Sequence, residues 1–217
     1  MENPLIAVLI SGRGSNLRAL IEAERTGRLG GHIAVVISNR AEAAGLAYAA
    51  AAGIETRVMP HGDYPSRAAY DAALIEVLRS RGVTLICLAG FMRLVSRLLC
   101  DAFPCRILNI HPSLLPAFPG TDAQRQAWEY GVKVTGVTVH FVTPELDAGP
   151  IVMQAAVPVH DDDTLDTLTA RILAFEHQVY PEAVRLVLQA PWRLEGRRVV
   201  FDTVPSRAGT AAGPVED

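Results

Sequence analysis

Short apolar segments alternate with helical segments along most of this chain, and this alternation limits the possible folds more than any other feature of the sequence. Residues 5–10 form a continuous apolar run that ends at a glycine-containing loop. Leu17, Leu20 and Ile21 then recur at helical spacing, which predicts a strand, a loop and a helix in that order. Further strands are predicted at residues 32–38, 54–59, 84–88 and 107–110, and further helices at residues 42–52 and 66–81.

Strands and helices in this order predict an α/β protein with a mostly parallel, twisted sheet and helices on both faces. Residues 134–142 and 151–159 alternate between apolar and polar side chains around a turn, which predicts a short C-terminal antiparallel addition to the sheet. A long helix is predicted at residues 164–188 and a small strand at residues 199–201.

The composition agrees with a folded domain and excludes some functional classes. Hydrophobic residues make up 50% of the 217 residues and charged residues 20%, which is enough apolar material for a core. We expect a single domain over residues 1–203 and a disordered tail at residues 204–217, which are rich in Ala, Gly, Ser and Pro. The formal net charge of −3 gives no sign of a nucleic-acid partner, because such partners require a basic surface.

Cysteine usage and hydropathy predict the cellular setting. Cys87, Cys100 and Cys105 form no CxxC pair and fit a reduced compartment, where we expect them to be small buried hydrophobes. No apolar run approaches the roughly 20 residues needed to cross a bilayer. The first apolar run also ends without the small-residue cleavage site of a signal peptide. We therefore expect a cytoplasmic protein with no membrane partner.

Ligands of such sheets bind at the carboxyl ends of the strands, which directs attention to residues 12–16, 90–93 and 111–119. The first of these segments has two glycines between a strand and a helix, so its backbone N–H groups can hold a phosphate. The third position of the dinucleotide fingerprint is Leu17, which favours a monophosphate over a dinucleotide. A tight turn without a ligand is the alternative explanation of the two glycines.

Asn109 and His111 are the polar residues of a strand that is otherwise apolar. They have the same parity, so they are predicted to project from the same face of the sheet at its carboxyl end. An amide N–H and an imidazolium N–H directed at one point can together bind an oxyanion. The alternative is a histidine whose hydrogen bonds are satisfied within the core or at the surface.

Asp147 lies in a turn whose conformations are restricted by Gly149 and Pro150. A carboxylate that only caps the turn is one interpretation. If Asp147 instead faces His111, it would favour the charged imidazolium and fix the orientation of the ring. The two residues would then form a proton-handling pair at neutral pH.

We predict no metal site. His140, His160 and His177 have no spacing that builds a tetrahedral site with cysteine or aspartate. The acidic residues 161–163 are expected to be solvated at a helix N-terminus, where carboxylates complement the helix dipole.

Five short motifs together resemble those of the phosphoribosylglycinamide formyltransferases. They are Gly-Ser-Asn at residues 14–16, Ala-Gly-Phe-Met-Arg at 89–93, Asn-Ile-His-Pro-Ser-Leu-Leu-Pro at 109–116, Leu-Asp-Ala-Gly-Pro at 146–150 and Glu-His at 176–177. The resemblance runs in order from about residue 5 to residue 188. The segment 120–124 departs from it, because it lacks the histidines that some members carry there, and this puts contacts from that loop in doubt.

The resemblance implies a Rossmann-like formyltransferase fold and the transfer of a formyl group from 10-formyltetrahydrofolate to the amine of glycinamide ribonucleotide in purine biosynthesis. The folate would be a co-substrate, and no metal would be needed. His111 would be the catalytic acid, Asp147 its partner and Asn109 a second oxyanion donor. We expect a monomer or a homodimer whose partners are the two small-molecule substrates.

The resemblance also implies which residues bind each substrate. The ribonucleotide would contact Gly14, Ser15, Asn16, Leu173, Ala174, Phe175 and Glu176. The folate would contact Arg67, Met92, Arg93, Leu94, Val95, Asn109, Thr143, Pro144, Glu145 and Leu146. Without the resemblance, Arg67 and Glu176 are explained as solvated helix residues and Met92 as a core residue.

Two other functions remain open on the sequence. A hydrolase that releases formate from the same folate could use similar residues. A nucleotide-binding sensor could be built on the same kind of sheet, because a fold does not establish an activity. The hydrolases usually carry an additional N-terminal domain, and because the first predicted strand begins at Leu5 we expect a transferase rather than a hydrolase.

Overall fold

A nine-stranded sheet with helices on both faces accounts for residues 3–202, the part of the chain that the computed structural model describes. The strands are β1 Leu5–Ile10, β2 His32–Ser38, β3 Glu55–Val58, β4 Leu85–Leu88, β5 Ile107–His111, β6 Val134–Phe141, β7 Ile151–Pro158, β8 Trp192–Glu195 and β9 Arg198–Phe201. The helices are α1 Ser15–Arg25, α2 Gly45–Ala51, α3 Arg67–Ser80, α4 Arg97–Ala102, α5 Ala123–Tyr130 and α6 Leu165–Gln189. The predicted α/β fold is confirmed.

The order of the strands places the carboxyl ends of β1, β4 and β5 side by side. The sheet has the order β3-β2-β1-β4-β5-β6-β7-β9-β8, and its first five strands are parallel. β6 is antiparallel to both β5 and β7, so the predicted antiparallel addition is confirmed. The strand order runs from β1 to β3 on one side and from β4 to β5 on the other, so it reverses between β1 and β4, and a sheet of this type forms its ligand crevice at that point.

Alternate residues of β1 point into two different hydrophobic cores, one on each face of the sheet. Ile6, Val8 and Ile10 belong to a core with α1 and α6, whereas Ala7 and Leu9 belong to a core with α3. Burial on both faces explains why this strand is a continuous apolar run rather than an alternating one.

Helix α6 packs in the first of these cores and is hydrogen-bonded to β4 and β5. It begins with a capping box in which Thr164 accepts from the backbone of Thr167. The buried hydroxyl of Tyr180 lies 2.9 Å from the carbonyl oxygen of Leu88 and 3.1 Å from that of Leu108. Asp163, in the acidic segment before α6, pairs with Arg171 at 2.6 Å, and its side chain is only 3% exposed. The expectation that this segment is solvated is therefore wrong for Asp163, because the carboxylate is held in an ion pair.

Some elements differ from the sequence prediction. The helix predicted at residues 42–52 begins only at Gly45, because the N–H of Gly45 donates to the carbonyl oxygen of Gly12 in a neighbouring loop. Helices α4 and α5 and strand β8 were not predicted. The predicted tail at residues 204–217 lies outside the described residues, and the single domain stays a prediction.

Hydropathy and cysteine burial agree with a sheet packed between helices. Among residues 3–202, no helix combines the length and the apolar character that a bilayer crossing requires. Cys87 is fully buried, and burial raises the pKa of its thiol to about 12. This thiol is therefore protonated and behaves as a buried hydrophobe.

Candidate active site

The polar face of β5 and β6 forms the base of the site. Asn109 pairs with His140 across the two strands, and His111 pairs with Thr138. Val137, Val139 and Phe141 of β6 point into the core with α6, so the residues between them face the opposite side of the sheet. The predicted common orientation of Asn109 and His111 is confirmed by this register.

Asp147 is carried to this face by the turn between β6 and β7. Its backbone has a positive φ of 48°, which is uncommon for a residue with a side chain. A Cβ atom on Gly149 would lie 1.7 Å from the carbonyl oxygen of Phe141, so only glycine allows the turn to pass over the end of β6. The N–H of Phe141 donates to the carbonyl oxygen of Pro150 at 2.9 Å and holds the other side of the turn.

The structure brings Asp147 and His111 together. Nδ1 of His111 lies 3.5 Å from Oδ2 of Asp147, and both side chains are buried, with 5% and 8% of their surfaces exposed. Nε2 of His111 donates to the carbonyl oxygen of Phe118 at 2.8 Å. The same oxygen of Asp147 accepts from the N–H of Gly120 at 2.8 Å. Asp147 therefore faces the imidazole and also anchors the loop that follows β5.

His140 is a third member of this cluster, and its place beside Asn109 and Asp147 was not predicted. Its Nδ1 lies 2.9 Å from the carbonyl oxygen of Phe141, to which it must donate, and burial lowers the pKa of its imidazole. The ring is therefore neutral, and its Nε2 can accept from Nδ2 of Asn109 at 3.3 Å. Nε2 also lies 3.8 Å from Oδ1 of Asp147. The alternation of β6 around Val139 was the sequence signal for this orientation.

A cavity adjoins the cluster and contains most of the predicted folate residues. Its lining includes Arg93, Leu94, Val95, Asn109, Thr143, Pro144, Glu145, Leu146 and Asp147. It also includes Leu88, Phe91, His140 and Val142, which were not predicted. Arg67 and Met92 were predicted but are not among the lining residues. Arg67 is exposed at the start of α3, and Met92 is 67% exposed.

Arg93 is held at the cavity by an aromatic ring. Its guanidinium carbon lies 4.7 Å from the centre of the Tyr70 ring, within the range of a cation–π contact. Burial raises the pKa of Tyr70 to about 12, so the phenol is neutral at physiological pH. Stacked on this ring, the guanidinium lies where it could contact an anionic group in or near the cavity.

The loop after β1, residues 11–14 and here called the β1 loop, ends at the start of α1. Gly14 has a φ of 74°, and a Cβ atom there would lie 2.6 Å from the Cα atom of Gly45. Glycine is therefore required for both the conformation and the close approach. The first backbone N–H groups of α1, beginning at Ser15, have no partners within the helix and can bind an anion.

Asn16 and Glu176, which the sequence analysis assigned to one ligand, are in contact. Nδ2 of Asn16 donates to Oε2 of Glu176 at 2.9 Å. Oδ1 of Asn16 is buried and has no hydrogen-bond partner within residues 3–202, so it is free to accept from a ligand. On α6, Ala174 is exposed, whereas Leu173 and Phe175 are half-buried.

Burial of Glu176 gives a testable dependence of stability on pH. Burial raises the pKa of this carboxyl to about 7, although Asn16 and Arg13 act in the opposite direction. Between pH 4.5 and pH 7 the folded protein then binds more protons than the unfolded chain, so its stability falls as the pH rises through this window. Glu176→Gln keeps an acceptor for Asn16 and removes the titration. The variant should lack this fall, which is on the order of 3 kcal/mol.

Urea unfolding of the wild type and of Glu176→Gln at pH 5 and pH 8 measures this difference. At pH 8 the urea midpoint of Glu176→Gln, relative to that of the wild type, should be higher than it is at pH 5. Equal pH dependence of the two proteins would show that Glu176 titrates near its ordinary range in the folded state.

The described part of the chain offers no evident metal centre. Within residues 3–202, no group of three or more histidine, cysteine, aspartate or glutamate side chains is arranged to hold a metal ion.

Comparison with known proteins identifies related chains. The family model described as "Formyl transferase" matches residues 5–184. The phosphoribosylglycinamide formyltransferase of Escherichia coli K12 is 45% identical over 192 residues, with 88% of each chain covered. The crystal structure of glycinamide ribonucleotide transformylase 1 from Symbiobacterium toebii superposes with a TM-score of 0.90 at 58% identity, covering 92% of this chain and 94% of that one.

A larger protein also contains a matching segment. The trifunctional purine biosynthetic protein adenosine-3 of Bos taurus is 49% identical over 199 residues, which are 91% of this chain. The chain spans only 20% of the length of that relative.

Proposed function

Because this chain belongs to the formyl transferase family, and within it to the phosphoribosylglycinamide formyltransferases, we propose that it transfers a formyl group from 10-formyltetrahydrofolate to the amine of glycinamide ribonucleotide in purine biosynthesis. The observation that carries the proposal is the approach of Asp147 to His111. Asp147 and Asn109 line the cavity, whereas His111 is buried and is not one of its lining residues. An acid, its carboxylate partner and an amide donor are what formyl transfer to an amine requires.

The cavity beside these residues is the proposed site of the folate. Its walls combine apolar side chains such as Leu94 and Val95 with backbone and polar groups of residues 143–147, which suits a flat heterocycle with hydrogen-bonding edges. Arg93, stacked on Tyr70, would interact with an anionic part of the folate. Because Arg67 and Met92 lie outside the lining, contacts from these two residues would require a part of the folate that extends beyond the cavity.

The ribonucleotide is proposed to bind between the β1 loop and α6. The N-terminus of α1 would hold its phosphate through backbone N–H groups. The buried Oδ1 of Asn16 would accept from a hydroxyl or amine of the ligand, and Glu176 holds this amide in position. Leu173, Ala174 and Phe175 are retained as proposed neighbours of the ribonucleotide because they precede Glu176 on the same helix.

The reaction needs no covalent intermediate with the enzyme. The amine of the ribonucleotide attacks the formyl carbon, and the carbonyl oxygen gains negative charge in a tetrahedral intermediate. Asn109, oriented by the neutral ring of His140, donates one N–H to this oxygen, and protonated His111 donates a second. The proton of the attacking nitrogen passes, with the help of Asp147 and water, to the departing folate nitrogen.

His111 requires one rearrangement before it can act on the substrate. Nε2 of its ring donates to the carbonyl oxygen of Phe118, while Nδ1 faces Asp147. Both ring nitrogens are therefore occupied by protein groups. We infer that the segment containing Phe118 moves away when the folate binds, which frees one N–H of His111 for the formyl oxygen. The cytoplasmic location and the monomeric or homodimeric state stay predictions.

The decisive experiment is to mix the purified protein with glycinamide ribonucleotide and 10-formyltetrahydrofolate and to follow the free tetrahydrofolate that appears. A transferase releases tetrahydrofolate only when the amine is present, together with one equivalent of the formylated nucleotide. The matched control replaces the ribonucleotide by ribose 5-phosphate, which keeps the phosphate and lacks the amine.

The two other functions give different results in the same assay. A hydrolase would release tetrahydrofolate and formate at the same rate with and without the amine. A nucleotide-binding sensor would bind the ribonucleotide and release no tetrahydrofolate. Either result would overturn the proposed function.

A further inference from the structure

The two loops that carry the proposed substrate sites are hydrogen-bonded to each other through one residue, Ser11. This residue lies directly after β1, at the start of the β1 loop, and is 4% exposed. Its backbone N–H donates to the carbonyl oxygen of Gly90 at 3.1 Å, and its hydroxyl oxygen accepts from the N–H of Met92 at 2.8 Å. Ser11 thus holds two points of the segment 89–96, here called the β4 loop.

The hydroxyl of Ser11 is oriented by a second buried side chain. It donates to Oδ1 of Asn39 at 2.6 Å, and Asn39 is 3% exposed directly after β2. Nδ2 of Asn39 in turn lies 3.4 Å from Nδ1 of His61. A hydroxyl that donates to Asn39 must present a lone pair elsewhere, and the N–H of Met92 is located there. Asn39 therefore fixes the direction in which Ser11 accepts.

Ser11 lies at the point of the sheet where the ligand crevice is expected. β1 and β4 are neighbours, and the strand order reverses between them, so the ligand crevice opens at their carboxyl ends. The far end of the β4 loop is fixed independently, because Oδ2 of buried Asp71 accepts from the N–H of Ser96 at 2.9 Å. Arg93, Leu94 and Val95, between these two attachments, line the cavity.

We propose that Ser11 is a positioning residue that sets the folate side of the active site relative to the ribonucleotide side. Its hydroxyl, directed by Asn39, holds the near end of the β4 loop against the β1 loop. Without this bond, the β4 loop loses its attachment at Met92, next to the cavity-lining residues, while the bond from the N–H of Ser11 to Gly90 and the contact of the β1 loop with Gly45 remain. The inference rests on the proposed function, since it identifies the cavity as the folate site.

Ser38 provides a matched control for Ser11. It lies opposite Ile10 at the end of the neighbouring strand, it is fully buried, and its hydroxyl also donates once and accepts once. Both of those bonds are to Arg40, at 2.7 Å to its carbonyl oxygen and 3.1 Å from its N–H, and neither involves the β4 loop. Ser38→Ala therefore removes a similar hydroxyl whose own hydrogen bonds do not reach the β4 loop.

The experiment measures binding of tetrahydrofolate and of glycinamide ribonucleotide separately by calorimetry, for the wild type, Ser11→Ala, Ser38→Ala, Asn39→Ala and the double variant Ser11→Ala/Asn39→Ala. Ser11→Ala should raise the Kd of tetrahydrofolate about tenfold, because it leaves the Met92 N–H without its acceptor. The Kd of the ribonucleotide should stay unchanged. Ser38→Ala should match the loss of urea resistance of Ser11→Ala and leave both Kd values unchanged.

The double variant tests whether Asn39 acts through Ser11. Asn39→Ala should weaken tetrahydrofolate binding less than Ser11→Ala, and the double variant should be no weaker than Ser11→Ala alone, because the two residues share one bond. An equal Kd of tetrahydrofolate in Ser11→Ala and Ser38→Ala, or equal losses for both substrates in Ser11→Ala, would overturn the positioning role. A wild type that binds tetrahydrofolate but transfers no formyl group would overturn the proposed function and leave the Ser11 comparison interpretable.

Discussion

Asp147→Asn is expected to lower kcat by about 10²–10⁴, the range associated with removing a positioned proton-transfer group. Asparagine tolerates the positive φ at this position and can still accept from the N–H of Gly120, so the turn should be retained. The oxygen that accepts from Gly120 is also the one that faces Nδ1 of His111, so in the variant a neutral amide oxygen replaces the negative charge that favours the imidazolium. The substitution thus favours the protonation state that the mechanism does not use.

The measurement is the pH dependence of kcat for the wild type and Asp147→Asn, with saturating amounts of both substrates. The profile should change its shape as well as its height, because the substitution removes an ionisable group that contacts the imidazole. A Glu129→Gln variant, which removes an exposed carboxylate outside the cavity, serves as the control for a general loss of charge. An Asp147→Asn profile that is merely scaled down would exclude Asp147 from the path of the proton.

His111→Ala and Asn109→Ala are each expected to lower kcat by about 10² or more, the loss seen when an oxyanion donor is removed. The fold should survive both changes, because Asn109 is only partly buried and the neighbouring residues of β5 keep their core contacts. The double variant should lose less than the product of the two single losses, since both groups act on one intermediate. Single-turnover measurements with bound substrates separate this loss from changes in binding.

His160→Ala is the matched control for the histidine. His160 is exposed and lies after β7, outside the cavity, so its removal should leave kcat unchanged. A folded His111→Ala protein with the turnover of the wild type would show that another group supplies the proton.

The parts of the fold that follow from local patterns were predictable. The apolar run of β1 and the helical spacing after it specify their elements directly, and β1 has the predicted bounds. Helix α2 starts later than its alanine-rich segment suggested, because the N–H of Gly45 is used by the carbonyl oxygen of Gly12. Such a contact between distant segments leaves no periodic signal in the sequence.

The candidate site was likewise predictable where it depends on local patterns and unpredictable where it depends on contacts between distant segments. The common face of Asn109 and His111 follows from the period of two along a strand. The approach of Asp147 depends on where a turn crosses the end of β6, and spacing alone does not give it. His140 was missed because its role depends on the register between β5 and β6, which a single strand does not reveal. The catalytic and binding roles of all these residues stay predictions until the variants are measured.

The absence of a side chain at Gly149 has a practical consequence for engineering. The carbonyl oxygen of Phe141 occupies the place where any other residue would put its Cβ atom. Mutant libraries that aim at new acceptor amines can therefore vary the cavity walls but should hold this position constant. Loop grafts that lengthen the crossing are expected to move the carboxylate of Asp147 away from His111.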